Sequence, residues 1–163
     1  MSDLPVHLRH AKVSDLDAIL ALERLTDYAP HWPPAAYSAI VAPPMPGPLR
    51  CLIVARVSES LVGFAVGLMQ PAPGPDCEAR IAELESVAVA KSARRTGVGG
   101  ALCKSVFGWC REQGATEVVL EVRASSVAAT ALYARLGFVQ TGRRPRYYRD
   151  PDDDALAMRL QLG

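Results

Sequence analysis

From Ile81 to Gly114 the chain runs from a strand pattern, "IAELESVAVA", through the turn "KSARRTGVGG" and into apolar residues at helical spacing: Val98, Leu102, Val106, Trp109 and Cys110. A strand that breaks through a basic, glycine-rich turn into a helix fixes both local geometry and local chemistry. The first N–H groups of the helix have no intrahelical partners, and the helix dipole adds partial positive charge, so the turn suits a phosphate. Gly97, Gly99 and Gly100 would let a ligand reach the backbone without Cβ obstruction. Two familiar nucleotide patterns fail on spacing. No G-x-x-x-x-G-K-[ST] string occurs, and the G-x-G-x-x-G reading of Gly97-Val98-Gly99-Gly100-Ala101-Leu102 lacks its last glycine.

The remainder reads as strands and helices in one mixed α/β unit, with no linker or repeat, so a single domain over residues 1–163 is expected. "VHLRHA" is a short strand. Ser14 then caps a helix in which Ile19, Leu22 and Leu25 form the buried stripe and Asp15 and Asp17 occupy the first turn. A short helix from Pro33 leads into a proline-rich exit. "RCLIVARV" and "SLVGFAVGLMQ" are strands joined by a turn near Ser58–Ser60, and "PAPGPDCEAR" is a loop. "TEVVLEVRA" is a strand, and "SSVAATALYARLG" is a capped helix with Ala129, Leu132, Tyr133 and Leu136 on one face and Gly137 as its stop. "FVQTGR" and "DALAMRLQL" close the chain as strands.

Composition removes several classes of function. Eighteen basic residues against seventeen acidic leave a net charge of +1, so nothing global draws the chain to nucleic acid or to an anionic membrane. The N-terminal stretch has no apolar core of a leader, and no run approaches the ~18 apolar residues of a spanning helix. Cys51, Cys77, Cys103 and Cys110 form no C-x-x-C and no ligand-like pairing with the three histidines. Neither a metal site nor a disulfide framework is therefore expected, and a reducing cytoplasm is the economical location.

Arg94-x-x-Gly97-x-Gly99, directly after "LESVAVAKSA", resembles the R/Q-x-x-G-x-G/A turn of the GNAT superfamily of N-acetyltransferases. The resemblance implies a mostly antiparallel central sheet with a splayed strand pair and flanking helices, and acetyl-CoA as co-substrate. It puts Val87, Ala88 and Val89 along the pantetheine arm, and Arg94, Arg95, Thr96, Gly97, Val98, Gly99 and Gly100 at the pyrophosphate turn. From about Ile81 to Leu160, "LEVRASSVAATALYARLGF", "RRPRYY" and "DALAMRL" are similar to the RimI-type ribosomal-protein alanine N-acetyltransferases. That likeness makes Glu121 the general base and Tyr133 the general acid, twelve positions apart. Ser126 stands where the branch usually has an asparagine that bonds the pantetheine arm. A hydroxyl can still donate and accept there, with a shorter reach.

The chemistry is consistent with these residue types. A free α-amino group has a pKa near ~8 and is roughly one-tenth neutral at pH 7, so a carboxylate has one proton to remove before attack on a thioester. A lysine amine near ~10.4 is neutral less than about one time in a thousand at that pH. Alternatives stand beside the main assignment. Glu83 and Glu85 are rival bases, read here as sharing one strand face with Val87 and Val89. Tyr133 also suits core packing, and Trp32 suits either a substrate wall or ordinary packing. The arginines at 143, 144, 146 and 149 suit a solvated face, the 3′-phosphate of the cofactor or an acidic acceptor. Three functions follow: acetylation of a protein N-terminus in a ternary complex, acetylation of a small amine, and non-catalytic acyl-CoA binding. A monomer or homodimer is expected.

Overall fold

The fold is organised by strands whose two faces are both covered. In the computed structural model, which describes residues 4–26, 31–42, 47–72, 74–76 and 78–163, β2 (Arg50–Val57) alternates strictly between two cores. Cys51, Ile53 and Ala55 join the core under the long helix α3 (Val98–Glu112), while Leu52 and Val54 join a second core under α1 (Leu16–Arg24) and α2 (Pro34–Val41). A strand buried on both faces reads as a continuous apolar run, which is what "CLIVA" is.

Seven strands form one sheet in the order β1-β2-β3-β4-β5-β7-β6. The others are β1 (Val6–His10), β3 (Ser60–Met69), β4 (Ile81–Val89), β5 (Glu117–Arg123), β6 (Val139–Tyr148) and β7 (Asp153–Gln161). Every pairing is antiparallel except β4 with β5, which is parallel with α3 as the crossover. This is the mixed, mostly antiparallel sheet with flanking helices expected from the sequence. α3 lies close on the sheet because β3 carries Gly67 beneath it. A Cβ at Gly67 would sit 2.7 Å from Val106 Cγ1 and 3.1 Å from Cys51 Sγ.

A bulge in β4 decides the site. Leu84 pairs with Gly67 and Ser86 with Val66, leaving Glu85 as the extra residue. A one-residue slip exchanges the faces of a strand. Before the bulge Ala82 and Leu84 pack into the α3-side core; after it Val87 and Val89 do, and Ala88 joins the core under α1 and α2. Glu83 thus faces away from α3, opposite to Val87 and Val89, which corrects the shared-face reading. The alternation is locally broken at Glu85, and a strict period of two could not reveal it.

Three further expectations change. Ser14 lies inside a 3-10 turn, Val13–Asp15, and α1 starts after Asp15 with no side-chain cap bond; the Asp15 carboxylate instead reaches back to accept from the Lys12 N–H at 2.7 Å. Asp15 is buried and is held by Arg9 at 2.7 and 3.0 Å and by Arg56 at 3.1 Å, tying β1 and β2 to the start of α1. Ile19 and Leu22 are buried as expected, but Leu25 is 75% exposed. α4 (Val127–Arg135) begins at Ser126 without a side-chain cap bond. Ala129, Tyr133 and Leu136 pack on the α3-side core. β6 runs on through "RRPRYY", well past the expected end at Arg143. Cys77 lies outside the described residues; Cys51, Cys103 and Cys110 are buried thiols that burial pushes up to about 12, 12 and 11. Among the described residues, no helix is long and apolar enough to cross a membrane.

Candidate active site

The site begins where the sheet divides. β4 and β5 are in register only at Ile81–Glu117, Ala82–Val118 and Glu83–Val119. Beyond the bulge they part. The Ala90 N–H donates to Val62 O at 2.8 Å, so by antiparallel alternation Ala88 also turns its backbone groups to β3. Val87 and Val89 then present theirs to the gap. Of the three residues expected along a pantetheine arm, these two offer the open edge, while Ala88 has its side chain in the core under α1 and α2. Val89 O already accepts from Arg94 Nε at 3.2 Å.

At the end of β4 a 3-10 turn, Lys91–Ala93, leads into the basic turn. Arg95 has φ 63° and Gly97 φ 87°, both left-handed, and Gly97 is the N-cap of α3. The first helical bond runs from the Ala101 N–H to Gly97 O at 3.0 Å, which leaves the N–H groups of Val98, Gly99 and Gly100 without an intrahelical partner. The Val98 side chain is buried, so it offers only its backbone. A Cβ at Gly99 would lie 3.3 Å from Leu132 Cδ2 and 3.7 Å from Val89 Cγ2, so this glycine lets α3, α4 and the end of β4 close together. The Thr96 hydroxyl donates to Ala93 O and stiffens the turn. A cavity of about 300 Å³ beside this end of β4 is lined by Leu22, Leu25, Thr26, Val89, Lys91 and Arg94, among others, which accounts for the exposure of Leu25.

The two expected catalytic groups lie on opposite faces of the divided sheet. Val118, Leu120 and Val122 point into the α3-side core, so Glu121, out of phase with them, projects from the other face. There its Oε1 lies 3.2 Å from Arg144 Nη2. The Tyr147 phenol is pushed up by the charge of Glu121 and by a hydrogen bond to it. Glu83 shares this face: burial holds its carboxyl above the usual range, the charges of Glu85 and Glu121 add to the rise, and Gln70 and Arg50 oppose it. Glu85 is bound by Arg50 at 2.8 and 3.2 Å. Tyr133 belongs to the α3 side, its ring edge-on to Phe138 at 5.8 Å. Burial, then Cys103 and Tyr148, raises its phenol, which favours the protonated form.

Ser126 is half-buried at the head of α4, where its carbonyl accepts from Thr130. Its neighbour Ser125 donates from both N–H and hydroxyl to Asp153 Oδ2, at 3.1 and 2.5 Å. The Arg123 guanidinium donates to Pro151 O and stacks over the Tyr148 ring at 4.4 Å. The loop after β5 and the β6–β7 hairpin are thereby one connected unit. Trp32 packs partly buried on the second core, 5.5 Å from the Tyr37 ring. Sequence reasoning did not pair Arg144 and Tyr147 with Glu121, nor Arg50 with Glu85. The "RRPRYY" tract was visible as a cluster, but only the β6–β7 register brings it over β5.

The divided sheet thus has an open strand edge beside a glycine-rich turn with three free N–H groups, and a carboxylate and a phenol on its opposite faces. The chain belongs to the acetyltransferase (GNAT) family, whose model matches residues 17–138. Within that family it is RimI-like. It is 34% identical over 132 residues to the N-alpha-acetyltransferase RimI of Mycobacterium tuberculosis, covering 81% of this chain and 77% of the relative. An uncharacterized protein of Mycobacterium leprae is 32% identical over 158 residues, 96% of this chain, and the chain spans 41% of that relative's length. The solved structure of the ribosomal-protein-S18-alanine N-acetyltransferase from Escherichia coli superposes with a TM-score of 0.76 at 26% identity, covering 98% of this chain and 95% of that one.

Proposed function

We propose that this N-acetyltransferase transfers acetyl from acetyl-CoA to the α-amino group of a protein N-terminus by direct attack in a ternary complex. What supports the reading is that β4 and β5 divide beyond Glu83, with Glu121 on one face of the sheet and Tyr133 on the other. An acceptor reaching one face and a thioester entering from the other would meet between them. Acetyl-CoA supplies an activated acyl carbon and a sulfur leaving group. Val87 and Val89 would pair with its pantetheine arm, and the free N–H groups of Val98, Gly99 and Gly100, with Arg94, Arg95 and Thr96 around them, would hold its pyrophosphate. Ser126 would donate to the arm. Glu121 takes the proton of the α-ammonium, and Tyr133 gives one to the departing sulfur. A backbone N–H on the open β4 edge polarises the thioester carbonyl.

Similarity to a relative named N-alpha-acetyltransferase supports an α-amino acceptor. Its basicity also suits a carboxylate better than a lysine amine does, since far less of the lysine amine is neutral at pH 7. The test is incubation with acetyl-CoA and a panel of free and N-terminally blocked peptides and small amines, reading free thiol. Release with free N-termini alone supports the proposal; release with polyamines or with lysine side chains of blocked peptides overturns it.

A further inference from the structure

We propose that Arg144 is a specificity-determining residue, selecting acceptors that carry a carboxylate in their first or second residue by exchanging its pairing with Glu121 for one with the acceptor. The inference rests on the N-terminal reading above. Arg144 Nη2 lies 3.2 Å from Glu121 Oε1, on the carboxylate the incoming amine has to reach. The Arg144 side chain is 63% exposed, against 27% for Glu121, and its guanidinium also lies 5.5 Å from the Tyr147 ring. It is therefore held from one side and open on the other. Neighbouring arginines are engaged elsewhere: Arg50 on Glu85 at 2.8 Å and Arg143 on Asp154 at 2.6 Å.

An α-ammonium arriving at Glu121 meets the positive charge of Arg144 at the same carboxylate. A neutral acceptor leaves the two cations facing each other across one anion. An acceptor with its own carboxylate lets four charges alternate in sign, with ammonium on Glu121 and carboxylate on Arg144. Hydrogen bonds of ~3 Å at each end place that carboxylate roughly 4 to 8 Å from the amine, which the side chain of a first or second residue spans and a fourth does not need to. The planar fork of arginine takes a carboxylate through two parallel bonds. Because the guanidinium is largely solvated, the preference is modest, about twofold to fivefold in kcat/KM.

The experiment uses the full chain, acetyl-CoA and peptide pairs identical except for Glu against Gln, or Asp against Asn, at the second residue. Wild type is expected to favour the acidic member about twofold to fivefold, and ~1 M salt to shrink the difference. Arg144→Gln is expected to level the pair, and Arg144→Lys to keep part of the preference. Equal wild-type rates, or a preference that survives Arg144→Gln, overturns the proposal while leaving N-terminal acetylation intact. Glutamate against glutamine as free acceptors forms a second arm: discrimination there with none among peptides means a free amino acid is read, which overturns it too. If no peptide is acetylated at all, the N-terminal reading itself fails.

Discussion

Replacing Gly97 by alanine separates the cost to the fold from the cost to the ligand. Gly97 has φ 87° and ψ 2° at the N-cap of α3, a left-handed conformation that costs a residue with a Cβ about 1–2 kcal/mol. Nothing lies within 4 Å of the Cβ it would gain, so no collision adds to that. Lower entropy of the unfolded chain returns about 0.4–1 kcal/mol. The net loss is then about 0–1.6 kcal/mol, and at ~2–4 °C per kcal/mol for a chain of this size the midpoint falls by no more than about 6 °C. The ligand is affected more. Straining the turn displaces N–H donors aimed at an anion, and one such charge-assisted bond is worth about 1.5–3 kcal/mol, or roughly tenfold to a hundredfold in Kd. Scanning calorimetry measures the first quantity and titration calorimetry with coenzyme A the second. A variant that loses the expected stability but binds coenzyme A within twofold of wild type would refute the turn as the pyrophosphate seat.

Tyr133→Phe should lower kcat by at least about a hundredfold while the KM for acetyl-CoA moves little, since a proton to the leaving sulfur is needed mainly in the transition state; equal activity across pH would make Tyr133 packing only. Glu121→Gln should lose activity steeply near pH 7 and recover part of it near pH 9, where solvent has already deprotonated the amine, with Glu83→Gln and Glu85→Gln mild. A pH-rescuable defect at Glu83 instead would move the base to β4. Asp15→Asn removes a buried carboxylate from the partly exposed Arg9 and Arg56 and should cost about 1.5–3 kcal/mol by denaturant titration. Its partners, Arg9 first, hold the folded carboxyl below its usual value, so its contribution is whole above about pH 4 and is lost as pH falls through the folded pKa. The Asn variant should flatten that acid limb.

The strands, the helices α1, α3 and α4 and the glycine turn at the head of α3 were legible because period and turn chemistry are local. β2 announces two buried faces in "CLIVA", and Gly97 announces its left-handed turn by being glycine. What was hidden depends on partners distant in sequence. Glu85 is a bulge only because β3 pairs with Leu84 and Ser86 around it. Ser14 does not cap α1 because the helix starts one residue later, after Asp15, whose carboxylate is drawn inward by Arg9 and Arg56. Leu25 matched the helical stripe yet lines an open cavity, since the stripe records spacing and not what stands opposite. The setting of Glu121 needed the β5–β7–β6 register, which carries Arg144 and Tyr147 across to it.

The joint between β4 and β5 is three register pairs long and is where two antiparallel blocks meet through backbone. Mechanically it is the seam of the molecule, with α3 as the strap across it. Breathing of the native state should concentrate there, and amides flanking the gap should exchange before those of β2 and β3. A pantetheine chain laid along Val87 and Val89 would act as a stitch in that seam. At a hundred times its Kd such a ligand adds about 2.7 kcal/mol to the folded state. Resistance to proteolysis would then rise and fall with the supply of coenzyme, so the lifetime of the protein would itself report on acyl metabolism.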